Sequence, residues 1–137
     1  MTQEQKDLLL KDLCARLPYG VKVNNEIQGD FVIYGVSENY IFARTGNKYG
    51  WINHVDFHIE KVKPYLFPMS SMTEEQKQYL KNRFCYDWNG EPYDSWKCQI
   101  EIGDVNELID FFHKNHLDYH NLIPKGSAID ATGLSIY

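Results

Sequence analysis

The spacing of apolar residues changes after residue 20, and this change constrains the fold more than any other feature of the sequence. Before it, four apolar residues recur at the intervals of one helix face: Leu10, Leu13, Cys14 and Leu17. Pro18 and Gly20 end that pattern, because proline disfavours a continuing helix. From residue 21 to about residue 66, apolar and polar residues alternate with the period of a half-buried strand. The chain is therefore predicted to begin as a helix and to continue as a sheet.

Turn-forming residues divide the alternating region into short segments. They stand at 29–30, 37–39 and 46–47, between runs of apolar residues. Short strands at this spacing are typical of an antiparallel meander or a small barrel. We predict an antiparallel sheet of about four or five strands, with SH3-like curvature.

The second half of the chain is predicted to be mainly helical. Capping-box spacing predicts a second helix that starts at residues 71–73, ends near residue 84 and turns Tyr79, Leu80 and Phe84 inward. Residues 96–102 alternate as a strand. Asp104 then caps a third helix with four inward apolar residues: Val105, Leu108, Ile109 and Phe112.

The last twenty residues lack a clear period. This tail contains Pro124, Gly126 and Gly133, so it is predicted to cross the surface with one short turn. Each half of the chain alone would be a marginal domain of about 65–70 residues. We therefore predict a single α+β domain over residues 1–137, with the C-terminal helices packed on the sheet. A sub-boundary near residues 67–72 is the alternative.

Charge and cysteine usage limit the compartment and the partners. The formal net charge is −5, whereas duplex DNA requires a basic face, so tight duplex binding is not expected. Three cysteines without a CxxC pair fit a reducing compartment. No leader pattern is evident, and no apolar run approaches the roughly 20 residues of a membrane span. We expect a cytoplasmic protein; the sequence does not indicate its oligomeric state.

A candidate metal site lies in the fourth predicted strand region. His54, Asp56 and His58 alternate with apolar residues, so a strand places all three on one face. Imidazole and carboxylate groups are ligands of divalent metals. The alternative is an ordinary solvated face, because neighbouring side chains on one strand face are roughly 6.6–7 Å apart.

A candidate binding loop lies between residues 86 and 96. It combines carboxylates and aromatic rings: Asp87, Trp88, Glu91, Tyr93 and Asp94. Such a set can bind a partner or act in acid–base chemistry. The alternative is that the rings pack back onto the core.

Three weaker patterns are also present. Three histidines follow the third predicted helix, where cationic side chains would interact favourably with its dipole: His113, His116 and His120. Cys85 is the better candidate for a reactive thiol, while Cys98 has the phase of a core residue. Basic and aromatic residues on the predicted strands could bind a single nucleic-acid strand: Lys22, Arg44, Lys48, Lys61, Tyr34, Tyr40, Tyr49 and Trp51.

Three stretches carry a resemblance. They are LLLKDLCARLPYGVKV at 8–23, VKPYLFPMSSMTEEQ at 62–76 and NHLDYHNLIPKGSAIDA at 115–131. Together they resemble a family of short uncharacterised proteins of anaerobic gut bacteria, their phages and their integrated elements. The resemblance implies a bacterial or mobile-element setting, and it carries no activity, cofactor or catalytic residue.

These patterns favour a non-enzymatic protein-interaction or accessory module with a protein partner and without a cofactor. This interpretation is based on the abundance of aromatic residues, which are 15% of the chain, and on the lack of a sequence pattern that brings catalytic residues together. The first alternative is a metal-dependent or acid–base hydrolase. The second is a protein that binds single-stranded nucleic acid.

Overall fold

A computed structural model describes residues 1–46, 52–84 and 102–137. These residues form three α-helices: α1 (Gln3–Arg16), α2 (Glu74–Phe84) and α3 (Ile102–Lys114). They also form six strands: β1 (Lys22–Asn25), β2 (Gly29–Val36), β3 (Tyr40–Gly46), β4 (Ile52–His58), β5 (Lys63–Leu66) and β6 (Ile129–Asp130). The predicted α+β class and the N-terminal helix are confirmed.

Helix α1 begins at the predicted capping box. The Thr2 hydroxyl accepts the backbone N–H of Gln5, and the Gln5 side chain accepts the backbone N–H of Thr2. This exchange satisfies two of the donors that every helix start leaves unpaired. A 3₁₀ turn (Leu17–Tyr19) and Gly20, at a φ of 67°, then end the helix. Glycine adopts this left-handed conformation without strain.

The buried face of α1 lies one position away from the predicted stripe. Its buried residues are Leu9, Asp12, Leu13 and Arg16. Leu13 is common to both sets, but Cys14 is exposed and Leu10 is half-buried. Periodicity alone favoured the wholly apolar stripe, whereas the true face accommodates two charged residues that pair with each other.

The described strands form one mixed sheet in the order β4-β3-β2-β1-β5-β6. Adjacent strands are antiparallel except β5 and β6, which are parallel. Within the described residues the sheet therefore has six strands rather than the four or five predicted. The sixth comes from the tail, where Tyr65 pairs with Ile129 and Leu66 with Asp130. A two-residue strand has no period that a sequence pattern can reveal.

The inner face of the sheet packs against α1 and part of the tail. Among the described residues, this sheet core contains fourteen buried side chains: Leu9, Leu13, Val21, Val23, Phe31, Ile33, Ile41, Ala43, Phe57, Ile59, Val62, Leu66, Leu122 and Ala128. Its strand members alternate with outward residues as predicted, for example Phe31 and Ile33 of β2 and Ile41 and Ala43 of β3. The outward side chains of the same strands consequently form a separate face.

A second, helical core lies between α2, α3 and the start of the tail. Its buried residues within the described part of the chain are Met69, Met72, Leu80, Phe84, Leu108, Phe112, Leu117 and Tyr119. Thr73 and Gln76 form the capping box predicted for α2. Tyr79 does not point inward as predicted: it is 40% exposed and stacks on Phe111 with ring centroids 4.8 Å apart.

The tail is part of both cores and does not simply cross the surface. Leu117 and Tyr119 belong to the helical core, and Leu122 and Ala128 belong to the sheet core. The backbone N–H of Asp118 donates to the carbonyl of Phe67, and the backbone N–H of Ala131 donates to the carbonyl of Leu66 in β5, each at 2.8 Å. Pro124 and Gly126 lie in one exposed turn between these anchored segments.

The described part of the chain, up to residue 46, over 52–84 and from 102 onward, contains no helix long and apolar enough to span a bilayer.

Candidate functional site

The outward face of β2, β3 and β4 presents several rings beside an arginine. We call this group the outer aromatic face: Tyr34, Tyr40, Phe42, Arg44, His54 and His58. Strand alternation places these side chains opposite the sheet core. Tyr34 and Tyr40 are 45% and 49% exposed, although both are large aromatic residues within the sheet.

A β-bulge shapes the centre of this face. The register of β2 against β3 shifts between Ile33 and Gly35, so Tyr34 is the extra residue. Gly35 faces Phe42, and a Cβ atom at Gly35 would lie 3.1 Å from the Phe42 ring. The glycine therefore lets Phe42 lie close against the neighbouring strand.

Ring contacts connect the members of the outer aromatic face in two sets, one around Tyr34 and one around Tyr40. Tyr34 contacts Phe42 and His54, with ring centroids 6.5 Å and 5.4 Å apart. Tyr40 contacts His58 edge-on at 5.6 Å. The guanidinium of Arg44 lies 5.9 Å from the centroid of the Tyr34 ring, a cation–π distance. These contacts pre-organise the rings while leaving their outer surfaces accessible.

The three residues of the predicted metal site lie on β4, at the edge of this face. His54, Asp56 and His58 face Arg44, Phe42 and Tyr40, respectively, across the β3–β4 ladder. Nδ1 of His58 accepts the backbone N–H of Glu60 at 3.4 Å. Among residues 1–46, 52–84 and 102–137, no three His, Cys, Asp or Glu side chains are arranged to hold a metal ion. The geometry therefore adds no support for a metal site.

The other predicted candidates are only partly described. The loop with Asp87, Trp88, Glu91, Tyr93 and Asp94 lies outside the described residues. So do Cys85, Cys98, Lys48, Tyr49 and Trp51.

A second group of polar residues is buried between α1 and the tail. Asp12 and Arg16 are both fully buried, and Arg16 Nε donates to Asp12 Oδ2 at 2.7 Å. Arg16 Nη2 donates to the carbonyl of Leu117 at 2.7 Å. The remaining carboxylate oxygen, Asp12 Oδ1, lies 2.8 Å from Nδ1 of His120. These contacts bind the tail to the first helix.

The network controls the charge of Asp12. Burial alone would raise the pKa of this carboxyl. Hydrogen bonds from His120 and Arg16, together with the guanidinium charge, outweigh burial and lower the pKa below its ordinary value. Asp12 is therefore ionised at neutral pH and compensates the buried guanidinium.

The histidines at the end of α3 do not act as cations on the helix dipole. His113 is buried, and its Nε2 lies 2.7 Å from the Tyr119 hydroxyl. Burial, followed by the charge of Arg16, lowers the pKa of His113 to about 4. Burial, followed by the charges of Arg16 and Lys22, lowers the pKa of His116 to about 4. Both rings are therefore neutral at pH 7, unlike the charged role that the sequence favoured.

His116 and Tyr137 close the end of α3. His116 adopts a left-handed φ of 54° directly after the helix, the conformation that commonly ends a helix. Its ring stacks on Tyr137 with centroids 3.6 Å apart. The Tyr137 hydroxyl accepts the backbone N–H of Lys22 at 2.9 Å and donates to the carbonyl of Tyr65 at 2.8 Å. Burial raises the pKa of Tyr137 to about 12.

A cleft of about 370 Å³ lies beside this ring pair. Its amides already bond within the protein: Gln76 Nε2 donates to Asn115 Oδ1, and Asn115 Nδ2 donates to the carbonyl of Phe111. Nδ1 of His116, which also lines the cleft, is buried without a hydrogen-bond partner among the described residues. Asp12 and Arg16, in contrast, have no exposed side-chain surface and bond to each other. The buried network consequently has a structural role.

The sequence patterns did not reveal the buried network of Asp12, Arg16 and His120 or the β-bulge at Tyr34. The signal for the network was the four-residue spacing of Asp12 and Arg16 on the same face as Leu9 and Leu13. The signal for the bulge was Gly35 inside a strand pattern.

We expect stability to fall between pH 6.5 and pH 4 because His113 is buried as a neutral ring. Its pKa is about 4 in the folded chain and near 6.5 in the unfolded chain. The stabilisation is thus complete above pH 6.5 and is lost as pH falls, because the unfolded state binds the proton first. The loss should approach about 3 kcal/mol.

Denaturant unfolding of the wild type and of His113→Phe across this pH range isolates the contribution of the His113 ring to the pH dependence of stability. The variant should show a flatter pH profile, whatever its absolute stability. Parallel profiles for the two proteins would contradict the prediction.

Comparison of the chain with protein-family models, with curated proteins and with solved structures found no match.

Proposed function

We propose that this chain is a non-enzymatic interaction module that binds a protein partner on its outer aromatic face. The observation that carries the proposal is the exposure of Tyr34 and Tyr40 within a pre-organised group of rings. Tyrosine and arginine are enriched among residues that dominate binding energy at protein interfaces. An exposed group of this kind on a rigid sheet is a recognised mark of an interaction site.

The charges of the face favour a protein over a nucleic-acid strand. Arg44 is the member of the predicted basic set that belongs to the outer aromatic face. Lys22 instead donates to the carbonyl of Ile136 at 2.6 Å. The exposed carboxylates of Asp56 and Glu60 lie at the same edge of the sheet and would repel phosphates. A mixed surface of rings and both charge signs matches the composition of a protein interface.

The setting that we propose is a bacterial mobile element or phage, in which the chain would be an accessory protein. The resemblance of the three stretches at 8–23, 62–76 and 115–131 supports this setting. The loop at 86–96 stays a second candidate for the partner-binding surface.

Affinity capture of the tagged full chain from its native host tests the proposal. The informative variant is Tyr34→Ser combined with Tyr40→Ser. Its control is Ile27→Ser, which removes an apolar residue that is 93% exposed in the turn between β1 and β2. Loss of a ring that dominates an interface typically costs 2 kcal/mol or more, about thirtyfold in affinity.

We expect wild type and Ile27→Ser to retain one protein in stoichiometric amount and the double variant to lose it. Thermal unfolding midpoints within a few degrees would confirm that all three proteins are folded. Equal capture by the double variant would reject the outer aromatic face. Capture that nuclease treatment abolishes would reject the protein partner and favour single-stranded nucleic acid.

A further inference from the structure

We propose that β4 pairs with β4 of a second copy of this chain, antiparallel and centred on Val55. Strand β4 is at one end of the sheet order, and no described strand pairs with the edge that faces away from β3. The outward backbone N–H and C=O groups of such an edge form a template for another strand. The seven residues of β4 are long enough for several ladder hydrogen bonds.

The edge carries charges that complement their own two-fold copy. When two β4 strands pair about Val55, His54 of each copy lies directly opposite Asp56 of the other. Both side chains are exposed and both project from the outer face of the sheet. An imidazole N–H can donate to a carboxylate in either protonation state of the ring. The symmetric pairing therefore makes two His–Asp contacts.

Asp56 is available for this contact. Within the described residues, its carboxylate has no hydrogen-bond or ion-pair partner. A T-shaped contact with the ring of Tyr34, whose centroid is 5.4 Å away, orients the ring of His54. Each cross-strand pair of opposite charge contributes about 0.2–1 kcal/mol relative to a pair of alanines. Backbone hydrogen bonds along the edge add to these contacts.

The same charges disfavour the neighbouring registers. Pairing centred on Asp56 would place the two Asp56 carboxylates opposite each other, and like charges in this position destabilise a sheet. Pairing centred on His54 would oppose two imidazoles and leave both carboxylates without histidine. A shift by one residue would join the outer face of one copy to the core face of the other. A register centred on Phe57 would also place Asp56 opposite a histidine, His58, but it would overlap only residues 56–58 of the two strands. The register centred on Val55 overlaps all seven residues of β4 and pairs both His54 and Asp56.

This pairing joins two sheets into one and places two outer aromatic faces side by side. The contact area of an edge is small, so the dimer is expected to be weak and to appear at high concentration, with a dissociation constant between about 1 μM and 1 mM. The pairing of the two β4 strands does not depend on the proposed protein partner. That partner would bind the open face of the strands rather than their edge.

Complementary charge variants of the full chain test the register. Asp56→Lys places a lysine opposite His54 in its own dimer, and His54→Asp places a second carboxylate opposite Asp56. A mixture of the two variants restores both contacts. His54 of the first variant then meets Asp56 of the second, and the introduced lysine meets the introduced aspartate. Both positions are exposed, so the variants should fold, which their unfolding midpoints would verify.

Sedimentation equilibrium at up to about 1 mM protein measures the association. We expect a wild-type dimer, at least about tenfold weaker association of each variant alone, and association of the equimolar mixture within about threefold of wild type. A monomeric wild type would overturn the proposal. It would equally be overturned by variants that dimerise like wild type, or by a mixture that associates no better than its components.

Discussion

Asp12→Ala is expected to destabilise the protein by about 3–5 kcal/mol, because it leaves the guanidinium of Arg16 buried without a counter-charge. Both side chains are fully buried, and the bond between Arg16 Nε and Asp12 Oδ2 is 2.7 Å long. After the substitution, Arg16 retains the carbonyl of Leu117. A neutral carbonyl does not offset the cost of desolvating a cation. Equilibrium unfolding in urea measures the loss.

Two comparisons make the result specific to the buried pair. Asp7→Ala removes an exposed aspartate from the same helix and should change stability by less than about 0.5 kcal/mol. Asp12→Leu combined with Arg16→Met replaces both charges and should cost much less than the sum of the single changes. A loss below about 1 kcal/mol for Asp12→Ala would contradict a compensating role for this carboxylate.

Phe112→Ala is expected to cost about 3–5 kcal/mol of unfolding free energy, the usual cost of removing a buried ring. Phe112 is fully buried in the helical core and stacks on Tyr119 with centroids 5.4 Å apart. The surrounding side chains belong to two helices and the tail, so the cavity cannot close without moving several elements. The measurement is again equilibrium unfolding in denaturant.

Val105→Ala on the same helix is the matched control. Val105 is 42% exposed, so its truncation should cost less than about 1 kcal/mol. If Phe112→Ala also stayed below about 1 kcal/mol, the assignment of the inward face of α3 would be wrong.

The elements with strong local signals could be predicted from the sequence. The capping boxes at Thr2 and Thr73 are local exchanges of two hydrogen bonds, so four consecutive residues suffice to reveal them. The inward positions of Leu108 and Phe112 could be predicted because both residues belong to the apolar stripe of α3, and both are buried. The alternation of β2 and β3 could be predicted for the same reason.

The remaining features depend on contacts between distant residues. The burial of Asp12 requires Arg16 and His120, the latter over a hundred positions away, and charged residues usually face solvent. The inward tail depends on backbone pairing of residues 129–130 with β5, which leaves no side-chain pattern. Val105 belongs to the predicted apolar stripe of α3 but is exposed. Helical periodicity identifies the stripe, but it does not specify how much of the stripe the neighbouring elements cover.

The candidate site was predicted in part. Alternation correctly placed His54, Asp56 and His58 on one strand face. The ring group beside them depends on the bulge at Tyr34, which brings that ring to His54 across an intervening strand. A bulge changes pairing rather than composition, so the sequence could indicate it only through the single glycine at position 35.

The hydroxyl of Tyr137 bridges β1 and β5, and this position has a consequence for synthesis. A ribosome releases the chain in order, so strands β1 and β5 emerge well before β6 and Tyr137. Until then, the amide of Lys22 and the carbonyl of Tyr65 lack the partner that joins them. Strands β1 to β5 can pair during translation, because β5 pairs directly with β1, whereas the outer edge of β5 must wait for β6. This edge is therefore exposed while residues 67–128 are synthesised, when chaperones can bind it.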